Sequence, residues 1–328
     1  MLKTKFLLLL SFFSINFLSL NAGSREPFPV KTFYWVEWHP DHNGVFSNLF
    51  RAIEWIYCIK TTHRMALYLN LAGQWGATSN LWNDLFVDAS DLQISSKPPT
   101  CSIGLSTHHF PIGMGQHFFN FNRYLGTGIK NFDETLYLYQ YPSTYKDPNF
   151  FLFRLRVNKI IKTYLNLQPK LAKKVSFYLE KLEKRRKEGK KIIGVQLRVS
   201  NHYFQDGNIN YLDQIKIEID ELMNRLEPTK TVIFLATLIE PLKQYLQEKY
   251  EVVTQDTPST HDAVFGDWTT IHHLEPHLIP EQAIIDTWTL ANCDEVWSGA
   301  SNMILFASCL NPSLDIHFFP CIQNCLGA

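Results

Sequence analysis

Apolar and polar positions follow two rhythms along this chain of 328 residues. Short apolar runs bounded by turn residues lie at Thr32–Trp38, Arg64–Leu71, Ile192–Leu197, Thr231–Thr237, Glu251–Thr254, Glu295–Ser298 and Asp315–Phe319. Runs of that length with little alternation are the pattern of strands buried on both faces. Between them the spacing turns helical. Phe46 to Ile59 places Phe46, Leu49, Phe50, Ile53 and Ile56–Tyr57 on one side. Helical patterns return over Asn158–Glu188, Leu212–Leu226, Glu240–Lys249, Gln282–Asn292 and Ser301–Leu310. Strands alternating with helices of these lengths predict an α/β fold with a doubly wound parallel sheet. Ligands of such sheets sit at the carboxyl ends of the strands, so the segments just after Leu197, Thr237 and Ser298 are the informative ones.

Other stretches break the rhythm. Residues 72–150 are rich in Gly, Pro, Asn and aromatic residues, and 255–280 in His, Asp and Thr; both read as loops and short elements. The run Glu180 to Lys191 reads as the solvated end of a helix, its positive charge favourable near a helix C-terminus, with Gly189 as the stop. At the N-terminus Lys3 and Lys5 precede an apolar run, Phe6 to Leu20, and Ala22 offers a small residue for cleavage. A signal peptide over residues 1–22 is the main expectation, with an uncleaved signal anchor as the rival. The chain is expected in the secretory pathway or exported, whether secreted, periplasmic or lumenal. It would touch a membrane only if that segment is retained.

Composition narrows the function classes. Lys+Arg 31 against Asp+Glu 31 leaves no basic field for gripping nucleic acid. The length suits about two domains of ~150 residues. Six cysteines in an exported chain permit disulfides. Cys58, Cys293 and Cys309 fall on apolar helical faces and read as buried thiols, while Cys101, Cys321 and Cys325 lie in loop-like sequence and are the better disulfide candidates. There is no GxxxxGK[ST] and no GxSxG, and Gly113–Gly115 and Gly126–Gly128 lack a third glycine and a preceding strand. His272, His273 and His277 lack metal-site spacing, and Pro276 interrupts any helix that would align them. Trp75, Trp82, His108 and Trp268 could serve as sugar platforms or as packing residues.

Three segments stand out by position. Gln196-Leu197-Arg198-Val199-Ser200-Asn201-His202 leaves the end of a strand, and an Arg there is either a fork for a diphosphate or one half of an ordinary ion pair. Ser298-Gly299-Ala300-Ser301-Asn302 joins a strand to a helix and is either an anion cradle or a plain helix cap by Ser301. Asn43-Gly44-Val45-Phe46-Ser47-Asn48 is either a second backbone cradle or a tight turn and cap.

At these segments the sequence resembles the inverting fucosyltransferases of the GT-B class, namely relatives of the nodulation and core α-1,6-fucosyltransferases and of the protein O-fucosyltransferases. The resemblance rests on Ile192–Tyr203 (IIGVQLRVSNHY), Val232–Thr237 (VIFLAT) and Ala283–Pro312 (AIIDTWTLANCDEVWSGASNMILFASCLNP), and covers about 190–320. It implies two Rossmann-like domains facing a cleft, with an acceptor-side domain over 23–170 and a nucleotide-sugar domain over 171–328. It implies GDP-fucose as the donor, no metal or other cofactor, and a glycan or glycoprotein acceptor. Arg198 falls on the arginine that stabilises the departing diphosphate in that family. Ser301 and Asn302 fall on its diphosphate loop, Gly44 and Ser47 on the N-terminal backbone contact, and Asp286 on a position that is usually acidic near the donor pocket. Gln196 and Asn201 flank Arg198 as further donor contacts, and Asp206 stands where some relatives carry a glutamate that would serve as general base, although Asp206-Gly207-Asn208 is also a good turn.

The chain departs from the family pattern. Gln196 stands where His is frequent, Val199 where a second Arg or Gly is, Asn201 where Asp is, and Leu238-Ile239 where an Asp usually follows VIFLAT. Two further readings therefore stay open beside transfer of fucose. One is a nucleotide- or glycan-binding protein that has lost catalysis, and the other is a transferase using another nucleotide sugar.

Overall fold

The structure, a computed structural model, describes residues 32–37, 45–46, 49–50, 52–53, 56, 65–70, 80–87, 145–197, 210–256, 278–299 and 301–321. The first half contributes β1 (Thr32–Glu37), β2 (Met65–Asn70), α1 (Leu81–Leu85) and β3 (Phe86–Val87). β1 pairs with β2. Between them Val45, Phe46, Leu49, Phe50, Ala52, Ile53 and Ile56 are helical and buried, as their spacing predicts. Then follow α2 (Pro148–Tyr164), β4 (Asn166–Leu167) and α3 (Pro169–Lys187).

Among the described residues the second half alternates strands with α-helices. β5 (Lys191–Leu197), α4 (Asn210–Arg225), β6 (Thr231–Thr237), α5 (Glu240–Lys249) and β7 (Val252–Thr254) are followed by α6 (Leu278–Leu290), β8 (Glu295–Ser298), α7 (Asn302–Leu310) and β9 (Asp315–Phe318). The five strands β5 to β9 form one sheet in the order β7-β6-β5-β8-β9. Every pair in it is parallel. The α/β class expected from the sequence is therefore present as a Rossmann-like sheet.

Alternate residues of the strands feed two cores. Ile192, Val232, Phe234, Val296 and Ile316 pack with α3, α6 and α7, and the helical residues Phe46 to Ile56 join the same cluster. Ile193, Val195, Leu197, Ile233 and Leu235 pack with α4 and α5. This double burial is why the strand sequences read as unbroken apolar runs. Phe306 of α7 meets Phe46, Phe50 and Trp288 at ring-centroid distances of 5.1, 5.2 and 5.6 Å. The buried Asn158 of α2 donates to the carbonyls of Cys309 and Leu310, at 2.8 and 2.7 Å, and so satisfies the C-terminal end of α7.

Four expectations change. The single helix over 158–188 is two helices, and it begins ten residues earlier, at Pro148. Pro169 opens α3; its ring disfavours helix in the residue before it, so the chain breaks at 165–168 and β4 pairs with β3 there. The helix expected from Gln282 starts at Leu278, because Pro280 is tolerated in a first turn. The charge run is more than a solvated helix end. Arg185 and Lys190 both pair with Glu251, Arg186 with Asp294 at 3.0 Å and Lys191 with Glu295, which ties α3 to the amino ends of the sheet. Gly189 stops α3 as expected, at φ +81°. Cys293 and Cys309 are buried free thiols, as their apolar faces predict. Burial raises both, Cys309 to about 12. Cys321 is not in a loop but buried in the second core, where its backbone N–H donates to Glu218. Trp82 is also core, fully buried against Phe86, and forms no sugar platform. Among the described residues no helix is long and apolar enough to cross a membrane. The segment 1–22, Cys58, Cys101, Cys325, Trp75, His108, Trp268 and the 272–277 histidines lie outside the described residues.

Gly194 of β5 lies against the end of α6, the turn after it and β8. A Cβ there would stand 2.8 Å from Leu290 Cδ2 and from Val296 Cγ2, and 3.2 Å from Cys293 Sγ. All three belong to buried residues, so little can yield. Gly194→Ala is expected to lower the unfolding free energy by about 1–3 kcal/mol, read as a lower urea midpoint with an unchanged slope.

Candidate functional site

The strand order places a switch beside β5. The chain leaves β5 towards β6 and β7 on one side, then returns to β8 on the other. At such a point the connections diverge and leave a crevice at the carboxyl ends of the strands. Register sets what lines it. Gln196 of β5 is the partner of Ser298 of β8. Gln196 is 2% exposed, and its Oε1 accepts from Ser298 Oγ at 2.6 Å and from Ser301 Oγ at 3.2 Å. Gly299 N–H donates to the Gln196 carbonyl at 3.3 Å. The buried amide oxygen is thus satisfied by the hydroxyls of Ser298, the last residue of β8, and of Ser301 in the loop after it.

Ser301 is the N-cap of α7, its Oγ accepting from Ile304 N at 3.3 Å. Of the two readings of that loop, the cap is observed, and it is compatible with the other. The cap fixes the positive end of the α7 dipole at the carboxyl edge, where helix N-termini attract anions. Asn302 is the first residue of α7. Across β5, Thr237 Oγ1 donates to Leu197 O at 3.0 Å and accepts from Ile239 N at 3.2 Å, pinning the exits of β5 and β6 together. Ile239, beside the position where the resembled family carries Asp, is 1% exposed and belongs to the second core. Glu240 accepts from Gln244 along its own helix at 3.0 Å.

A second polar group forms at the exit of β7. Gln255 Nε2 donates to Asp286 Oδ1 at 2.6 Å and to the Gln282 carbonyl at 2.9 Å. An amide nitrogen has two protons, so both bonds are satisfied. Burial of the Asp286 carboxyl raises its pKa to about 7, and the bond from Gln255 only partly opposes that. Tyr178 of α3 is also raised, first by burial and then by the charge of Asp286.

The structure therefore joins Gln196 to Ser301, starts α7 at Asn302, and holds Asp286 against Gln255. Arg198, Asn201, Asp206, Gly44 and Ser47 lie outside the described residues; Arg198 follows directly on Leu197, the last residue of β5. Ser298 lies in the segment singled out from the sequence, but its pairing with Gln196 was not foreseen, and Gln255 and Thr237 were not named as site residues. Ser298 is legible only once β5 and β8 are aligned, and Gln255 only once β7 is recognised as a fourth strand ending on this edge.

No family model and no curated protein matches the chain. Among the solved structures similar to it are two fucosyltransferases. One is the NodZ α-1,6-fucosyltransferase soaked with GDP-fucose, at 16% identity and a TM-score of 0.43 over 86% of this chain and 94% of that one. The other is a mutant of Arabidopsis thaliana FUT1 in complex with GDP, at 14% identity and a TM-score of 0.46 over 93% of this chain and 74% of that one. Overlaps this loose carry no residue roles.

Asp286 gives the site a pH signature. Its folded pKa of about 7 lies above its ordinary 3.8, so between those values the folded protein holds a proton that the unfolded chain has released. Its contribution is full below about pH 4 and is lost as pH rises through 7. Relative to the parent, Asp286→Asn is expected to gain on the order of 1–3 kcal/mol in urea unfolding between pH 5 and pH 8. An unchanged difference between the two pH values would contradict the buried carboxyl.

Proposed function

We propose that the chain is a glycosyltransferase that moves fucose from GDP-fucose to a hydroxyl of a glycan or glycoprotein, with inversion at the anomeric carbon. The observation that carries this is the Gln196–Ser298–Ser301 lattice at the switch beside β5, with the α7 N-terminus at its rim and Arg198 next in the chain after β5. A diphosphate needs convergent positive potential, and a helix N-terminus together with a guanidinium supplies it. The sequence motifs at these same positions point to a nucleotide-sugar donor.

In this reading Asp206 takes the proton of the acceptor hydroxyl, whose oxygen attacks the anomeric carbon as the bond to the diphosphate breaks. Arg198 meets the charge that builds on the departing GDP, which lowers the barrier directly. Asn302 and the backbone around Ser301 hold the diphosphate, Gln196 and Asn201 support them, Gly44 and Ser47 reach it from the N-terminal half, and Asp286 lies at the donor side. With Arg198 in that role no metal is needed. The proposal includes an acceptor-side domain over 23–170, a donor domain over 171–328, and a signal or anchor over 1–22 that sends the chain into the secretory pathway or out of the cell.

Leu238-Ile239 in place of the acidic residue expected directly after VIFLAT supports keeping a different donor in view. A thermal-shift panel separates the readings. GDP and GDP-fucose, but not UDP-sugars, are expected to raise the melting midpoint, and Arg198→Ala is expected to cut GDP release from GDP-fucose by about 10²–10³-fold. Full turnover in Arg198→Ala would overturn the mechanism. Stabilisation by another nucleotide alone would move the donor, and stabilisation by GDP without any turnover would leave a binding protein.

A further inference from the structure

The opposite end of the sheet carries a cluster that the transfer reaction does not use. Glu295 and Asp315 open β8 and β9 and are register partners, and Trp297 and His317 are the next pair on the same face. Glu295 and Trp297 partner Ile193 and Val195, which places all four side chains on the α4–α5 face of the sheet. There the cover by helices thins, and Asp315 keeps 65% of its side-chain surface and His317 36%.

Two carboxylates directly opposite each other on neighbouring strands repel, and such a pair calls for a cation. Lys191 answers one of them through Glu295 Oε2, and His317 Nε2 lies 3.1 Å from Asp315 Oδ2. One ligand atom each from Glu295, Asp315 and His317 lies within 4.8 Å of the other two. Bonds of about 2.0–2.2 Å to a common ion put ligand atoms about 3.3–3.6 Å apart in a tetrahedral site, so side-chain rotation has to draw the triad together onto the ion. The ligands are also oriented from outside the triad. Trp297 Nε1 donates to Glu295 Oε1 at 3.0 Å, and the Trp297 ring stacks on His317 with centroids 4.7 Å apart and planes 17° from parallel. Partners that fix the ring and the carboxylate are what a metal site requires beyond its ligands.

We infer that Glu295, Asp315 and His317 form a binding site for a divalent transition-metal ion, with zinc as the best fit. One imidazole and two carboxylates without a thiolate suit a borderline ion, and the imidazole disfavours magnesium and calcium. The exposure of Asp315 and His317 leaves room for water as the remaining ligand. The ion replaces the Lys191 ammonium on Glu295, so Lys191 competes with it. The site lies at the amino ends of the strands, away from the crevice, and fastens edge strand β9 to β8. It is independent of the proposed transfer.

The test uses untagged full-length protein stripped with a chelator. Zinc is titrated by calorimetry and by thermal shift, with magnesium as the control. One zinc is expected to bind and to raise the midpoint by about 3–6 °C at a hundredfold excess over its dissociation constant, with magnesium inert. His317→Gln and Asp315→Asn, both at exposed positions, are expected to lose at least tenfold in affinity. Lys191→Met is expected to gain affinity, a response that a site elsewhere in the chain would not show. Absence of zinc binding, or binding unchanged in His317→Gln and Asp315→Asn, overturns the inference.

Discussion

The central place of β5 is the constraint on which the rest depends. It is hydrogen-bonded along both edges, to β6 from Lys191 to Leu197 and to β8 from Ile193 to Gln196. Both of its faces are therefore committed to cores, and no side chain from Ile192 to Leu197 has room for solvent. Gly194 follows from this, since the end of α6 must cross β5 closely enough to deliver the chain to β8. Asp294 completes the turn. Its carboxylate accepts from Ile192 N at 2.7 Å and from Arg186 Nε at 3.0 Å, locking the start of β8 to the start of β5. Part of what makes the 283–312 motif distinctive is thus structural, because the Cys-Asp turn seats the strand whose far end carries the site.

Burying a glutamine at the end of such a strand is costly unless both ends of its amide find partners. Ser298 and Ser301 provide them for Oε1, and in doing so they fix the loop between β8 and α7. The position of the α7 N-terminus is then set by packing and hydrogen bonding before any ligand arrives. A helix end placed in advance attracts an anion without reorganisation, which is the property a diphosphate site needs.

β5 and β6 were legible in the sequence because each is apolar on both faces and bounded by turn residues, and the order of elements from Ile192 on follows directly, whereas the two-residue strands β3 and β4 left no such run. The break before Pro169 was not legible, since the apolar spacing on its two sides is continuous enough to read as one helix. The early start of α2 at Pro148 was hidden in an aromatic-rich stretch. In the site, Gln196, Ser301 and Asp286 carried a signal through their place at strand ends or through resemblance. Their partners did not. Ser298 meets Gln196 across 102 positions of sequence, and Gln255 meets Asp286 across 31. Such pairs are set by register and packing, which local patterns do not encode. The charge run shows the same limit, because its sign was plain while Glu251, Asp294 and Glu295 became its partners only through the fold.

The departures from the family pattern take on a physical meaning at the sheet edge. The exit of β6 is closed by Ile239, buried in the core under α5, with half-buried Leu238 before it and Glu240 opening α5 after it. One strand further out, Asp286 is held through Gln255 at the exit of β7. A fully charged carboxylate near a diphosphate would repel it. Burial, by lifting Asp286 to about 7, lets it stand protonated near neutrality and donate rather than repel. The same desolvation that weakens the fold at high pH thus makes Asp286 compatible with the diphosphate proposed for this edge of the sheet.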